Sequence, residues 1–321
     1  MELLKKLTQT DSVSGDEGTI AHIIQSEVCG FADEILLDAM GNLIVHKKGS
    51  GNKLLFAAHM DEIGIIVTYI DEAGFLRFSG VGGLDKNDLV GRKVRFSSGV
   101  VGVIGTEEEN KDRDIAKMYI DIGAGSREDA QKCVSIGDTA AFVGEFYQEN
   151  GVIVSKALDN RAGCYALLEA LKQVKSKNDL YFVFTVQEEV GLRGAKTAAF
   201  DIMPDFAVAV DVTDTGDTPG APKMAVKLGK GAAVKIMDRS VMCSASVRND
   251  LLELAKKHNI PYQLEVMTDG GTDAGALSLT GAGIKTGGIS IPCRYVHSPA
   301  EMIAQADIKA VIDLIVAYAQ I

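Results

Sequence analysis

The sequence has no tryptophan, only six prolines among 321 residues, and fewer basic than acidic side chains, 33 against 44. Each shortage excludes something. Without Trp, a platform for stacking sugars would have to come from Tyr or Phe. A net charge of −11 argues against nucleic acid as a partner, because neutralising phosphates takes clustered Lys and Arg. The same acidity favours solubility and gathers cations. No apolar run approaches the ~20 residues that cross a bilayer, so no transmembrane helix or membrane partner is predicted. The amphipathic start MELLKKLTQTDS has no long apolar core of the kind that marks a signal peptide. Cysteine is sparse and unpaired: Cys29, Cys133, Cys164, Cys243 and Cys293 are odd in number and form no CxxC motif. They read as free thiols, and a cytoplasmic location is expected.

Glycine, by contrast, is abundant at 34 residues, and the hydrophobic periodicity changes twice along the chain. Residues 2–8 and 16–29 are predicted helices; 34–37, 42–47 and 53–58 are predicted strands. From Tyr69 to Ser155 the chain turns into short alternating segments separated by Gly and Asp. Their spacing of ~8–12 residues reads as a small all-β barrel or sandwich. Helical and strand patterns then alternate. Helices are predicted over 160–174, 194–200, 240–258, 272–279 and 307–319, and strands over 180–186, 206–210, 262–267 and 286–291. This predicts an α/β fold, a mostly parallel twisted sheet sandwiched by helices. It forms one discontinuous domain, 1–67 and 156–321, interrupted by an inserted β domain at 68–155.

In such a sheet, sites form where loops leave the carboxyl ends of strands. The apolar run ending at Val186 stops on two adjacent carboxylates, Glu188 and Glu189. Burying like charges side by side is costly unless something positive receives them. His59 follows the strand KLLFAA, Asp211 follows FAVAV, His297 follows the loop after GGISIP, and Asp159 precedes a helix. Singly, each has an ordinary reading: a surface histidine, a capping aspartate, a solvated glutamate pair. Their coincidence at several strand ends favours a metal site, and the imidazole and carboxylate donors suit zinc, cobalt or manganese. Asp61 lies two residues beyond His59, on the same side of an extended segment. It is placed to accept the second imidazole N–H, an arrangement that fixes the tautomer of a metal-bound histidine. His22, His46 and His258 have no such company and read as structural. No single acidic or basic residue marks the floor of a specificity pocket.

Taken together, HMDEIG at 59–64, ALDNRAG at 157–163, VQEEVGLRGA at 186–195, AVDVTD at 209–214, DGGTDAGA at 269–276 and RYVHSP at 294–299 resemble the M42 metallo-aminopeptidases. The resemblance spans essentially the whole chain. It implies a zinc-exopeptidase-like fold with a PDZ-like β insert that pairs subunits into dimers and then a hollow homododecamer. It also implies two divalent metal ions per subunit. Asp159 would bridge them, His59 and Asp211 would complete one, and Glu189 and His297 the other. Glu188 would be the general base for the attacking water, with Asp61 behind His59. A cis peptide at Asp159–Asn160 is implied as well. The motif DGGTDAGA would shape the pocket wall, and Arg294 would either line the site or be structural. Relatives carry DPQ where this chain has Asp85, Lys86 and Asn87, which leaves a contact from Asn87 to a neighbouring subunit in question. The expected reaction is release of N-terminal residues from short peptides. A carboxypeptidase or deacylase on the same fold, a glucan hydrolase and a non-catalytic assembly protein are the alternatives.

Overall fold

Lys53–His59 is buried along its length after the first residue, and its side chains divide between two faces. Leu54, Phe56 and Ala58 belong to one core, Leu55 and Ala57 to another. Successive strand residues point to opposite faces, so an unbroken apolar run needs cover on both. Asp179–Thr185, Phe206–Thr213 and Lys285–Arg294 have the same character. In this computed structural model, which describes residues 1–321, these strands pair in parallel in the order Asp179–Thr185, Lys53–His59, Phe206–Thr213, Lys285–Arg294.

Parallel pairing is concentrated at the centre. Leu43–Lys47 and Glu34–Leu37 extend one edge antiparallel. Glu301–Ala304, Val152–Ser155 and Tyr147–Glu149 extend the other. Ala232–Met237 pairs antiparallel with Lys285–Arg294 and carries Tyr262–Val266 beside it in parallel. The result is a mixed sheet of 11 strands. Helices Glu2–Gln9, Gly18–Val28, Leu158–Gln173, Ala245–Lys257 and Gln305–Tyr318 contribute to the larger core. Arg193–Ile202 and Asp273–Ser278 cover the opposite face.

The insert is a closed antiparallel barrel of Gly64–Ile70, Leu76–Val81, Met118–Asp121, Val101–Thr106, Lys93–Phe96 and Thr139–Phe142. Its own core includes Ile65, Phe78, Val94, Phe96, Ile104 and Ile120. Closure leaves no free strand edge. The barrel strands thus run from Gly64 to Phe142, which differs from the 68–155 expected for the insert. The expected limits include Val152–Ser155 because VIVS alternates like a barrel strand. Instead it pairs with Glu301–Ala304, and Ile153 enters the main core. Alternation reports a half-buried strand and not which sheet buries it.

Ala232–Met237 and Glu301–Ala304 are among the strands that the sequence pattern does not predict. Ala232–Met237 is interrupted by Lys235, which is buried against Glu265 and Asp238. Glu301–Ala304 is short and opens on a buried glutamate. The helix expected over 240–258 starts later, at Ala245. Asp238 Oδ1 accepts from the backbone N–H groups of Ser240 and Val241, fixing a turn there. No helix is long and apolar enough to cross a membrane.

Phe56 is fully buried, stacked on Phe182 at 5.4 Å and edge-on to Tyr318 at 6.2 Å. Phe56→Ala is expected to cost about 3–5 kcal/mol, read as a lower urea midpoint of unfolding with little change in its slope.

Candidate metal centre

The parallel strands deliver their carboxyl ends to one place. His59 closes Lys53–His59, Asp211 lies near the end of Phe206–Thr213, and Glu188 and Glu189 follow Thr185. Asp159 stands at the start of the helix Leu158–Gln173, and His297 lies in the loop before Glu301–Ala304. The two imidazoles face different oxygens of one carboxylate. His59 Nε2 is 3.1 Å from Asp159 Oδ1, and His297 Nε2 is 3.3 Å from Asp159 Oδ2. His59 Nε2 also lies 3.6 Å from Asp211 Oδ1 and 4.0 Å from Glu188 Oε2. On the other side, His297 Nε2 lies 3.3 Å from Glu189 Oε2. The Asp159–Asn160 peptide is cis.

Asp61 is fully buried, and its main work is on the backbone. Its carboxylate accepts from the Glu188 N–H at 3.1 Å, the Glu189 N–H at 3.2 Å and the Ser14 hydroxyl at 2.6 Å. His59 Nδ1 is closer to the Asp61 carbonyl, 3.2 Å, than to its carboxylate, 3.5 Å. Asp61 therefore clamps the turn that presents both glutamates, besides lying behind the imidazole. His46 is far from this centre in role, bonded to Asp179 at 2.7 Å and stacked on Tyr181.

Glu301 was not foreseen from the sequence. Its buried carboxylate accepts from the backbone N–H of Asp159 and that of His297, each at 2.9 Å. One side chain thus ties together the backbones of residues on two elements. The only sequence signal is its place four residues after His297. The barrel contributes too. Gly83 lies against the His297 ring, where a Cβ would stand 2.9 Å from Nδ1, closer than side chains tolerate. Arg294 instead forms a forked ion pair with Asp217, at 3.0 and 2.8 Å. Asn87 is exposed and donates to Asp85 in its own turn.

The electrostatics of this cluster are those of a cation site. Burial opposes charging of both imidazoles, yet the surrounding carboxylates hold His59 well above its ordinary value and push His297 up to about 12. Burial also raises Glu188, Glu189 and Asp211 above the usual carboxylate range, and lifts Asp273 to about 7. Asp159 moves the other way: burial raises it, but its bonds to His297 and His59 outweigh that. Glu189 Oε1 and Asp273 Oδ1 are buried without a hydrogen-bond partner, which is costly unless another positive group receives them. The donors fall into two overlapping groups, His59 with Asp159 and Glu189, and His59 with Glu188 and Asp211, each with its ligand atoms within 4.8 Å of one another. Imidazole nitrogen and carboxylate oxygen are the donor chemistry of zinc, cobalt and manganese, so the residues present fit such an ion.

The sequence profile of the M42 glutamyl aminopeptidase family matches residues 41–314. The chain belongs to the M42 family. A protein from Acetivibrio thermocellus is 55% identical over 319 residues, spanning 98% of this chain and 97% of its own. The structure of an aminopeptidase from the archaeon Desulfurococcus kamchatkensis superposes with a TM-score of 0.95 at 38% identity, covering 99% of this chain and 94% of the other. A TET1 peptidase from Pyrococcus horikoshii, which can assemble into a tetrahedron or a large octahedral shell, superposes at 0.89 with 38% identity, covering 99% and 98%. This M42 chain is therefore a metal-dependent, peptide-hydrolysing enzyme with the architecture of that family.

Removing groups that orient metal ligands commonly costs 10–100-fold in metal affinity. Glu301→Ala in this M42 enzyme is expected to weaken metal retention by about that factor, measured as metal content after dialysis against a competing chelator. Wild-type retention would place the backbones of Asp159 and His297 under other control.

Proposed function

We propose that this enzyme is a dinuclear aminopeptidase that removes N-terminal residues from short peptides. The observation that carries the reading is the double engagement of Asp159, one oxygen towards His59 and the other towards His297. A carboxylate can be shared between two cations in this way, which an imidazole cannot. Asp159 would therefore bridge. His59 and Asp211 would hold one ion, Glu189 and His297 the other, with zinc, cobalt or manganese as the candidates. When bound, such a pair of ions polarises the scissile carbonyl, anchors the free α-amine and acidifies the attacking water.

The chain's own part is positioning and proton transfer. Glu188 stands beside the His59 and Asp211 donors, its backbone N–H fixed by Asp61. We assign it as the base that takes the proton of the attacking water and delivers it to the leaving amine. Glu189, one residue on, turns to the opposite imidazole. Adjacency in the chain thus separates a proton carrier from a ligand. The barrel between Gly64 and Phe142 is assigned to subunit pairing, and dimers to a hollow dodecamer that admits short peptides. The shells formed by the TET1 peptidase support this. A cytoplasmic setting is in keeping with five free cysteines.

Chelator treatment is expected to abolish hydrolysis of aminoacyl p-nitroanilides, and added zinc, cobalt or manganese to restore it. Acetylating the substrate amine should remove turnover; hydrolysis of the acetylated substrate would favour a deacylase or endopeptidase. Glu188→Gln is expected to lower kcat by about 10²–10⁴-fold with the metal content unchanged. Loss of metal in that variant would make Glu188 a ligand instead.

A further inference from the structure

We propose that Glu17 is a positioning residue for hydrolysis, one that sets the aim of Glu188 through the backbone of Gln187. The inference rests on the reading of Glu188 as the base and goes beyond it by naming what holds that base in line. The turn from Val186 to Glu189 follows the last residue of the strand Asp179–Thr185. Its backbone N–H groups have left the sheet ladder and need acceptors elsewhere. Each of the four finds a side chain from another part of the chain. The Val186 N–H donates to Asn42 Oδ1 at 3.1 Å, and the Gln187 N–H to Glu17 Oε1 at 3.0 Å. Those of Glu188 and Glu189 go to Asp61. Glu17 therefore holds the residue directly before the base.

Gln187 is the member of this turn most in need of holding. Its φ is 53°, in the left-handed region that a residue with a Cβ rarely adopts and that persists where the surroundings fix it. Its own side chain turns away, accepting from Arg193 at 3.1 Å. Glu17, in contrast, is well anchored. It is 7% exposed, and the oxygen that receives Gln187 also accepts from the Gly15 N–H at 2.8 Å. Although Glu17 directly precedes the helix Gly18–Val28, its carboxylate caps none of that helix's N–H groups. The residues before it are pinned to the segment just beyond His59. The Ser12 N–H donates to Glu62 Oε1 at 3.0 Å, Val13 bridges to Glu62, and the Ser14 hydroxyl donates to Asp61 at 2.6 Å. The stretch from Ser12 to Glu17 thus braces the turn against the strand end that carries His59. Neither Ser14 nor Glu17 lines the cavity, so Glu17 reaches the reaction only through the turn.

The test uses the purified full chain with metal restored, assayed on whichever of a panel of aminoacyl p-nitroanilides the wild type turns over fastest. Glu17→Met keeps the side-chain length and removes the acceptor. It is expected to lower kcat at least about tenfold, with KM and metal content within about twofold of wild type, because small displacements of a reacting group are costly. Glu17→Gln keeps an amide oxygen for both N–H groups and should bring kcat back to within about threefold of wild type. A double-mutant comparison separates aim from mere support. In the Glu188→Gln background, adding Glu17→Met should cost less than about twofold in kcat, since residues that act as one unit are not additive. Should Glu17→Met fail to fold, Glu17→Asp, whose oxygens are drawn back by one methylene, carries the same comparison. Wild-type kcat in the variant, loss of its metal, or an undiminished effect in the Glu188→Gln background would each overturn the positioning role while the base reading stood. Near-wild-type kcat in Glu188→Gln alone, or absence of turnover on the whole panel, would overturn both.

Discussion

The structure is governed by a concentration of buried negative charge at one edge of an apolar sheet. Asp159, Glu188, Glu189, Asp211 and Asp273 converge on the carboxyl ends of the central strands, with His59 and His297 between them. Carboxylates in a poorly hydrated pocket repel one another and lose solvation. That free energy must be offset by cations and by hydrogen bonds supplied from elsewhere in the fold. The unpartnered oxygens of Glu189 and Asp273 show that the protein's own donors do not offset all of it, in keeping with a family whose members depend on metal.

Much of the surrounding architecture holds these groups against their mutual repulsion. Asp61 and Glu301 act in the same manner from opposite sides. Each is itself a buried carboxylate, and each accepts from the backbone N–H groups of two site residues, Glu188 with Glu189 and Asp159 with His297. Further out, Arg161 is fully buried and donates to the carbonyls of Met60, Leu7 and Thr10. It ties the N-terminal segment to the strand end that carries His59. Lys156 joins Glu62 and Asp11, and Asp11 in turn binds Arg95 of the barrel. The barrel is thereby fixed to the body by a network of charges, and it sets Gly83 against His297. A domain assigned to assembly also helps to shape the site.

A different balance operates behind the pocket wall. Lys235, Glu265 and Asp238 are buried together in the second, peripheral pair of strands. Both carboxylates engage Lys235, so it is not available to the cavity. A basic residue near a site in sequence or in space does not make that site receptive to anions; its partners decide. The same holds for Arg294, which stands three residues before His297 and is committed to Asp217.

The sequence by itself determined the fold class, the central strands and the convergence of site residues, for a local reason. Uninterrupted apolar runs such as KLLFAA and YFVFTV must be buried on both faces, and polar residues at their ends must meet where the strands end. The inserted β domain was legible from its turn spacing, and the M42 motifs were legible because they are short and contiguous. Its limits were not, because VIVS alternates identically in a barrel and at the edge of a mixed sheet. Only the tertiary structure decided which sheet took that strand, that Asp61 and Glu301 serve the backbone of the site, and that Gly83 backs His297. These are contacts between residues distant in the chain, and periodicity carries no record of them.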